Sequence, residues 1–226
     1  MQQKKPDVGV IIPAYNESKN IEKIIKTLHR LPCIDEILVV DDGSTDDTAK
    51  IAKKAGAKVI SIKKNMGKAY AMKIGYLLSN NYILVFLDGD IKEGVEQVER
   101  LVNPILEGKA DVVIARFPSS KEKGGLGLVK SLAQIGLFIL TGKTLSSVLS
   151  GQRAFLHSIL RPELFDYHGY GIEFGMTVDL LNNNNIQIVE VGVTMKHCAT
   201  GRNLKGFLHR FRQFSDILKV IIKKLF

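Results

Sequence analysis

Three short polar segments carry most of the chemistry open to this sequence: Pro13-Ala14-Tyr15-Asn16-Glu17, Asp41-Asp42-Gly43-Ser44-Thr45-Asp46 and Asp88-Gly89-Asp90. In the last, two carboxylates flank a glycine that lets the backbone approach a ligand. Such a pair can hold Mg2+ or Mn2+ through oxygen ligands. The ion would neutralise a diphosphate leaving group, Lewis-acid work that needs no nucleophilic side chain. A fourth segment, Asn65-Met66-Gly67-Lys68-Ala69, stands at the entrance to a helical pattern. A helix amino terminus with a lysine beside it suits a phosphate.

The elements that must position these segments alternate along the chain. Residues 8–12, 37–40, 58–62, 82–87 and 111–115 are apolar runs of strand length. Between them, helical spacing marks residues 18–30, a helix capped at Ser44 or Thr45, and residues 66–78 and 95–106. Single helices between strands imply βαβ units: an α/β fold with a mostly parallel central sheet and helices on both faces. Ligands of such sheets bind beyond the carboxyl ends of the strands. The first, second and fourth strands end in the three polar segments, so the acids converge on one edge. Further on, residues 128–140 and 172–181 read as helices, and 152–155 and 186–193 as strands. Residues 121–127 form a charged, glycine-rich loop, and the four asparagines 182–185 an exposed turn.

Val10 to Glu17, Val39 to Asp46 and Asp88-Gly89-Asp90 together resemble the family 2 glycosyltransferases of the GT-A, Rossmann-like fold. The resemblance implies a nucleotide-sugar donor, a UDP-sugar such as UDP-glucose. Pro13, Ala14, Tyr15, Glu17 and Asp42 would line the base and ribose pocket, a carboxylate accepting from a uracil or guanine N–H. Asp88 and Asp90 would meet ribose and metal beside Gly89, with Asp90 catalytic, and Gly67-Lys68 would be a donor contact. The second half is similar to glucosyl-3-phosphoglycerate synthases through Gly169-Tyr170-Gly171-Ile172-Glu173-Phe174-Gly175 and Lys196-His197. This implies His197 as a third metal ligand and Glu173 as an acceptor-binding residue or general base. Ser150-Gly151-Gln152-Arg153 resembles a segment of polyprenyl-phosphate sugar transferases, which makes Gln152 and Arg153 acceptor-binding, Arg153 through a bidentate grip on phosphate.

The chain also departs from these families. Where phosphoglycerate enzymes carry Gly-Arg-x-Thr, it reads Gly125-Leu126-Gly127-Leu128. It has no Trp, so the Gln-x-x-Arg-Trp signature of processive synthases is absent, and one sugar per turnover is expected. A nucleotidyltransferase would need a Gly-rich, Arg-containing loop after the first strand, where Pro13 to Glu17 stand. A degenerate sugar-nucleotide sensor would have no need of both carboxylates and His197 together.

Charge and composition narrow the partners. From Lys196 to Phe226 eight Lys or Arg face one acid, Asp216, so +7 of the net +9 lies there. The basicity belongs to the carboxyl end, which is no coat for nucleic acid. In that segment Leu204, Phe207, Leu208, Phe211, Phe214, Leu218, Ile221, Ile222 and Leu225 recur at helical spacing amid Lys and Arg. A basic amphipathic helix of this kind suits an anionic membrane surface, or packs on its own domain or a second subunit. Two lone cysteines, Cys33 and Cys198, and no secretory h-region point to the cytoplasm, with the protein peripheral on the inner face of the membrane. The expected organisation is a transferase domain over residues 1–203, with a donor half to residue 117 and an acceptor half from 118, then the basic helix over 204–226. The acceptor is read as phosphorylated or lipid-linked, the alternative being a small soluble acid.

Overall fold

The computed structural model describes residues 6–118, 127–197 and 204–226. The segment 119–126, which holds most of the expected charged loop, lies outside the described residues, as do 198–203 and the side chain of His197.

Seven strands form one sheet: β1 (Val8–Ala14), β2 (Glu36–Asp41), β3 (Lys58–Ser61), β4 (Ile83–Phe86), β6 (Val112–Arg116), β7 (Arg153–Leu156) and β8 (Ile188–Gly192). Their order is β3-β2-β1-β4-β7-β6-β8. Only β7 runs against its neighbours, antiparallel to both β4 and β6. Two further strands, β5 (Ile91–Glu93) and β9 (Lys196–His197), pair as a separate antiparallel ribbon.

Period-two alternation sends the side chains of β1 to opposite faces. Val8, Val10 and Ile12 join one core cluster, Ile11 the other. On the first face lie α1 (Ile21–Leu28), α2 (Thr48–Lys54) and α4 (Val98–Leu106), on the second α3 (Lys68–Leu78), α5 (Leu128–Thr141), α6 (Ile172–Leu181) and α7 (Leu204–Leu225). Helix α1 shows why such segments fold as they do. Ile21, Ile24, Ile25 and Leu28 share one face and are fully buried, each contributing about 2 kcal/mol. Glu22 and Lys26 pair across one turn on the solvent side.

One local expectation changes and another holds. Helix α2 begins at Thr48, and Ser44 and Thr45 do not cap it. Asp46 accepts from the Thr48 N–H (3.0 Å) instead, which frees Ser44 and Thr45 to bind the loop after β1. The four asparagines 182–185 are exposed, as expected, with Asn183 Oδ1 accepting from the Asn185 N–H.

Candidate active site

The loops after β1 and β2 are stitched into one surface. Asn16 sits at φ 57°, the one positive φ among described non-glycine residues, a conformation that asparagine tolerates. There its N–H donates to Ser44 Oγ (2.9 Å) and its Oδ1 accepts from the Thr45 N–H (2.8 Å). The Glu17 N–H donates to Thr48 Oγ1 (2.8 Å), and Ser18 N–H reaches Asp46. Burial pushes the Asp46 carboxyl up, yet hydrogen bonds from Thr48 and Ser18 outweigh it and hold the group at about 2. Asp46 therefore stays ionised at this edge.

Strand β4 delivers Asp88 and Asp90 beside that surface. A Cβ on Gly89 would lie 3.1 Å from Glu17 Cγ and 3.5 Å from the Pro13 carbonyl, so this glycine packs closely against the loop after β1 and a side chain there would need Glu17 to shift slightly. Ala14 is buried beneath them and Tyr15 is half exposed. Burial raises the Glu17 carboxyl above its ordinary value; Asn20 lowers it, and the charges of Asp90, Asp46 and Asp88 raise it further. Negative charge thus accumulates at this rim. In the metal-free protein Glu17→Gln should raise the melting temperature by about 2 °C at neutral pH. A raised carboxyl favours folding in its protonated form. The wild-type deficit should therefore vanish below the ordinary value of 4.5 and grow as pH climbs through the folded-state value. Thermal scans against pH check this; a gap that widens toward acid would refute it.

On the opposite side of Asp88 the sheet brings four expected residues together. Lys68 Nζ, at the start of α3, lies 2.5 Å from Asp88 Oδ1 and 2.6 Å from Glu173 Oε1, at the start of α6. Gln152, just before β7, donates to Asp88 Oδ2 at 2.6 Å. A Cβ on Gly151 would lie 2.5 Å from Asp88 Oδ2 and 2.6 Å from Lys68 Nζ, so glycine is required for this cluster to close. Desolvation lowers the pKa of the Lys68 ammonium, but Asp88 and Glu173 reverse that and raise it above its ordinary value. A firmly charged cation is thus held between the β4 end and the α6 start.

Two other expected residues are placed differently. Asp42 is 3% exposed, and both its oxygens are engaged, by the Met66 N–H (2.8 Å) and the Gly67 N–H (2.7 Å). It fixes the turn that delivers Lys68, while the Gly67 N–H is committed to it. Arg153 is 1% exposed and turned into the core. Its guanidinium donates to the carbonyls of Ser150 (2.7 Å), Val148 (2.7 Å) and Glu173 (3.1 Å) and to Thr177 Oγ1 (2.9 Å). Burial lowers its pKa to about 10, against the raising influence of Glu173 and Asp88. In this arrangement its donors tie the loop through Val148 and Ser150 to the start of α6, and the guanidinium is buried away from any acceptor phosphate.

His197 is placed by its backbone alone. In the β5–β9 ribbon it pairs with Ile91, the residue after Asp90. Among the described residues no three His, Cys, Asp or Glu side chains gather as a metal site. The donor chemistry of the edge nonetheless fits a divalent cation. The charges of Asp90, Asp46 and Asp88 all act on Glu17, and the backbone of His197 pairs with Ile91 next to Asp90, so residues bearing oxygen and imidazole donors of the kind Mg2+ or Mn2+ accepts stand here.

Tyr170 precedes α6, and burial raises its phenol; Arg212 pulls it down, and Asp216, Glu173 and Lys68 also act on it. It lies between Gly169 and Gly171, inside the segment that delivers Glu173.

The geometry has counterparts among known proteins. The model described as glycosyl transferase family 2 matches residues 9–162. An uncharacterised protein of Methanocaldococcus jannaschii is 29% identical, over 98% of this chain and 94% of its own. The UDP-N-acetylglucosamine–dolichyl-phosphate N-acetylglucosaminyltransferase of Methanococcus voltae is 32% identical, over 68% of this chain and 71% of its own. Glucosyl-3-phosphoglycerate synthase of Mycobacterium tuberculosis, solved with Mn2+, UDP-glucose and phosphoglyceric acid, superposes with a TM-score of 0.76 at 27% identity, over 97% of this chain and 79% of that one. The GT-A-like fold is therefore shared, and this chain belongs to glycosyl transferase family 2 and is a glycosyltransferase.

Proposed function

We propose that the protein transfers one sugar from a UDP-sugar to a phosphorylated or lipid-linked acceptor, with Mg2+ or Mn2+ bound. The observation that carries this reading is the Lys68 ammonium held between Asp88 and Glu173, beside the acid-rich edge around Asp90 and Glu17. A sugar diphosphate needs cationic partners at its phosphates and a carboxylate at the incoming nucleophile, and this edge offers both within one cluster. Similarity to an enzyme solved with UDP-glucose, Mn2+ and phosphoglyceric acid supports the donor and the metal. Similarity to a transferase acting on dolichyl phosphate supports a phosphate-bearing acceptor.

The residues divide the work. Pro13, Ala14, Tyr15 and Glu17 line the pocket for base and ribose, and the Asp42 carboxylate holds the turn from Met66 to Lys68. Asp90, with Asp88 and His197, would hold the ion, which when bound supplies Lewis-acid neutralisation of the diphosphate. Lys68 turns toward the phosphates when donor enters. That releases Glu173 to orient the acceptor hydroxyl or take its proton, while Gln152 keeps Asp88 in place.

A small soluble acid is the second reading for the acceptor, favoured by the M. tuberculosis structures. Incubating the protein with UDP-glucose or UDP-N-acetylglucosamine, Mn2+, and either phosphoglycerate or a polyprenyl phosphate separates the two. A glycosylated polyprenyl phosphate in the mass spectrum supports the primary reading. A glycosylated phosphoglycerate moves the assignment to the soluble acid. Intact UDP-sugars with every acceptor refute transfer from these donors.

A further inference from the structure

Two neighbouring helices leave large apolar side chains on the surface. Helix α5 exposes Leu128, Ile135, Phe138 and Ile139, and Phe138 is 57% exposed. At the α-helical pitch these four fall within a sector of about 100°. Helix α7 exposes Leu208, Phe211, Leu218, Ile222 and Leu225, and Phe211 is 61% exposed. These too share a sector of about 100°, and Arg212, Lys219 and Lys223 form an exposed stripe along one margin of it.

The helices lie side by side: a Cβ on α5 Gly136 would come within 2.4 Å of α7 Ile221 Cδ1. Both are seated on the same body. Ala133, Gly136 and Leu137 of α5 and Ile217, Val220 and Ile221 of α7 face inward. Lys224 pairs with Asp179 of α6 and lies 5.6 Å from the centre of the Tyr167 ring, which ties down the far end of α7. The exposed strips are therefore displayed on the outward side of one packed helix pair.

We infer that this α5–α7 face is a docking surface for an anionic lipid bilayer. No described helix is long and apolar enough to cross a membrane, but the pattern is that of helices lying in its interface. Charge complementarity selects lipid over a second copy. Helix α5 carries no acid and α7 only Asp216, which is engaged by the Tyr170 N–H (3.2 Å) and Lys219 (3.5 Å). Two such faces brought together would oppose cation to cation, whereas acidic headgroups receive the Arg212, Lys219 and Lys223 stripe. The same Tyr170–Asp216 contact joins α7 to the turn that leads into Glu173, so docking would set the Glu173 end of the site beside the bilayer.

Co-sedimentation of the full chain with vesicles tests this without donor or turnover, so its outcome is separate from that of the transfer assay. The protein should pellet with phosphatidylcholine vesicles containing phosphatidylglycerol and remain in solution with phosphatidylcholine alone. Lys219→Gln with Lys223→Gln should weaken binding about thirtyfold at low salt. Phe211→Ser with Ile222→Ser should weaken it at least about a hundredfold, and Phe138→Ser in α5 should weaken it measurably. All these side chains are exposed, and unchanged circular dichroism would confirm folding of each variant. The proposal fails if the wild type ignores anionic vesicles. It fails equally if sedimentation velocity finds a dimer that the Phe211→Ser, Ile222→Ser variant dissociates, because the face would then be a contact between copies.

Discussion

Replacing Asp90 with asparagine is expected to lower kcat/KM by about a thousandfold or more while leaving the fold intact. The carboxylate stands where β4 gives way to the β5–β9 ribbon, one residue before Ile91 and its backbone partner His197. Of the neighbouring carboxylates, its charge does most to raise Glu17. An amide keeps the shape and removes the charge, so the loss falls on whatever cation the edge is meant to hold. Several kcal/mol of transition-state stabilisation rest on such an ion, which sets the expected factor. Because the acids at this edge repel one another, the same substitution should hold or slightly raise the melting temperature. Steady-state kinetics with excess Mn2+ and a thermal scan check both parts. A variant with full activity would remove Asp90 from the chemistry.

Arg153 should behave in the opposite way. Arg153→Ala is expected to cost about 3–5 kcal/mol of stability, a drop of about 10 °C in melting temperature. Its fork satisfies the carbonyls of Ser150, Val148 and Glu173 together with Thr177 Oγ1, all sealed from water. Truncation strands those acceptors and opens a cavity between β7 and α6. Arg153→Lys should recover only part of the loss, since a single ammonium cannot span four partners. Activity should fall with the fold, without a selective rise in the acceptor KM. A normal melting temperature with a raised acceptor KM would restore the phosphate-gripping role implied by resemblance.

These two residues show where the sequence was legible and where it was not. The acids at strand ends could be read because an uninterrupted run such as Ile83-Leu84-Val85-Phe86-Leu87 announces a buried strand, and whatever follows it lies at the sheet edge. The partition of helices followed from the alternation of strand and helix, and the face of α1 from its 3.6-residue spacing. Strand direction was not encoded in the same way. Arg153 to Leu156 reads alike whichever way it runs, so the antiparallel insertion of β7 between β4 and β6 appeared only in three dimensions. The β5–β9 ribbon joins segments of three and two residues, too short for any period to register.

Side-chain direction was the other blind spot. Asp42 looks like a ligand carboxylate until its partners prove to be backbone N–H groups of Met66 and Gly67, more than twenty residues on. Arg153 carries a charge usually found at surfaces, and its full burial follows from a turn whose carbonyls need donors. Helix α5 is read from its sequence only as a helix, because its exposed strip is as apolar as its buried one and spacing alone does not say which strip faces the sheet.

The most direct test of a metal-assisted UDP-sugar transferase is calorimetric titration of the wild type and Asp90→Asn with UDP and GDP, each with and without Mn2+. The expected result is binding of UDP that depends on Mn2+ and disappears in the variant. Folded wild-type protein that binds neither nucleotide, with or without the metal, would contradict it.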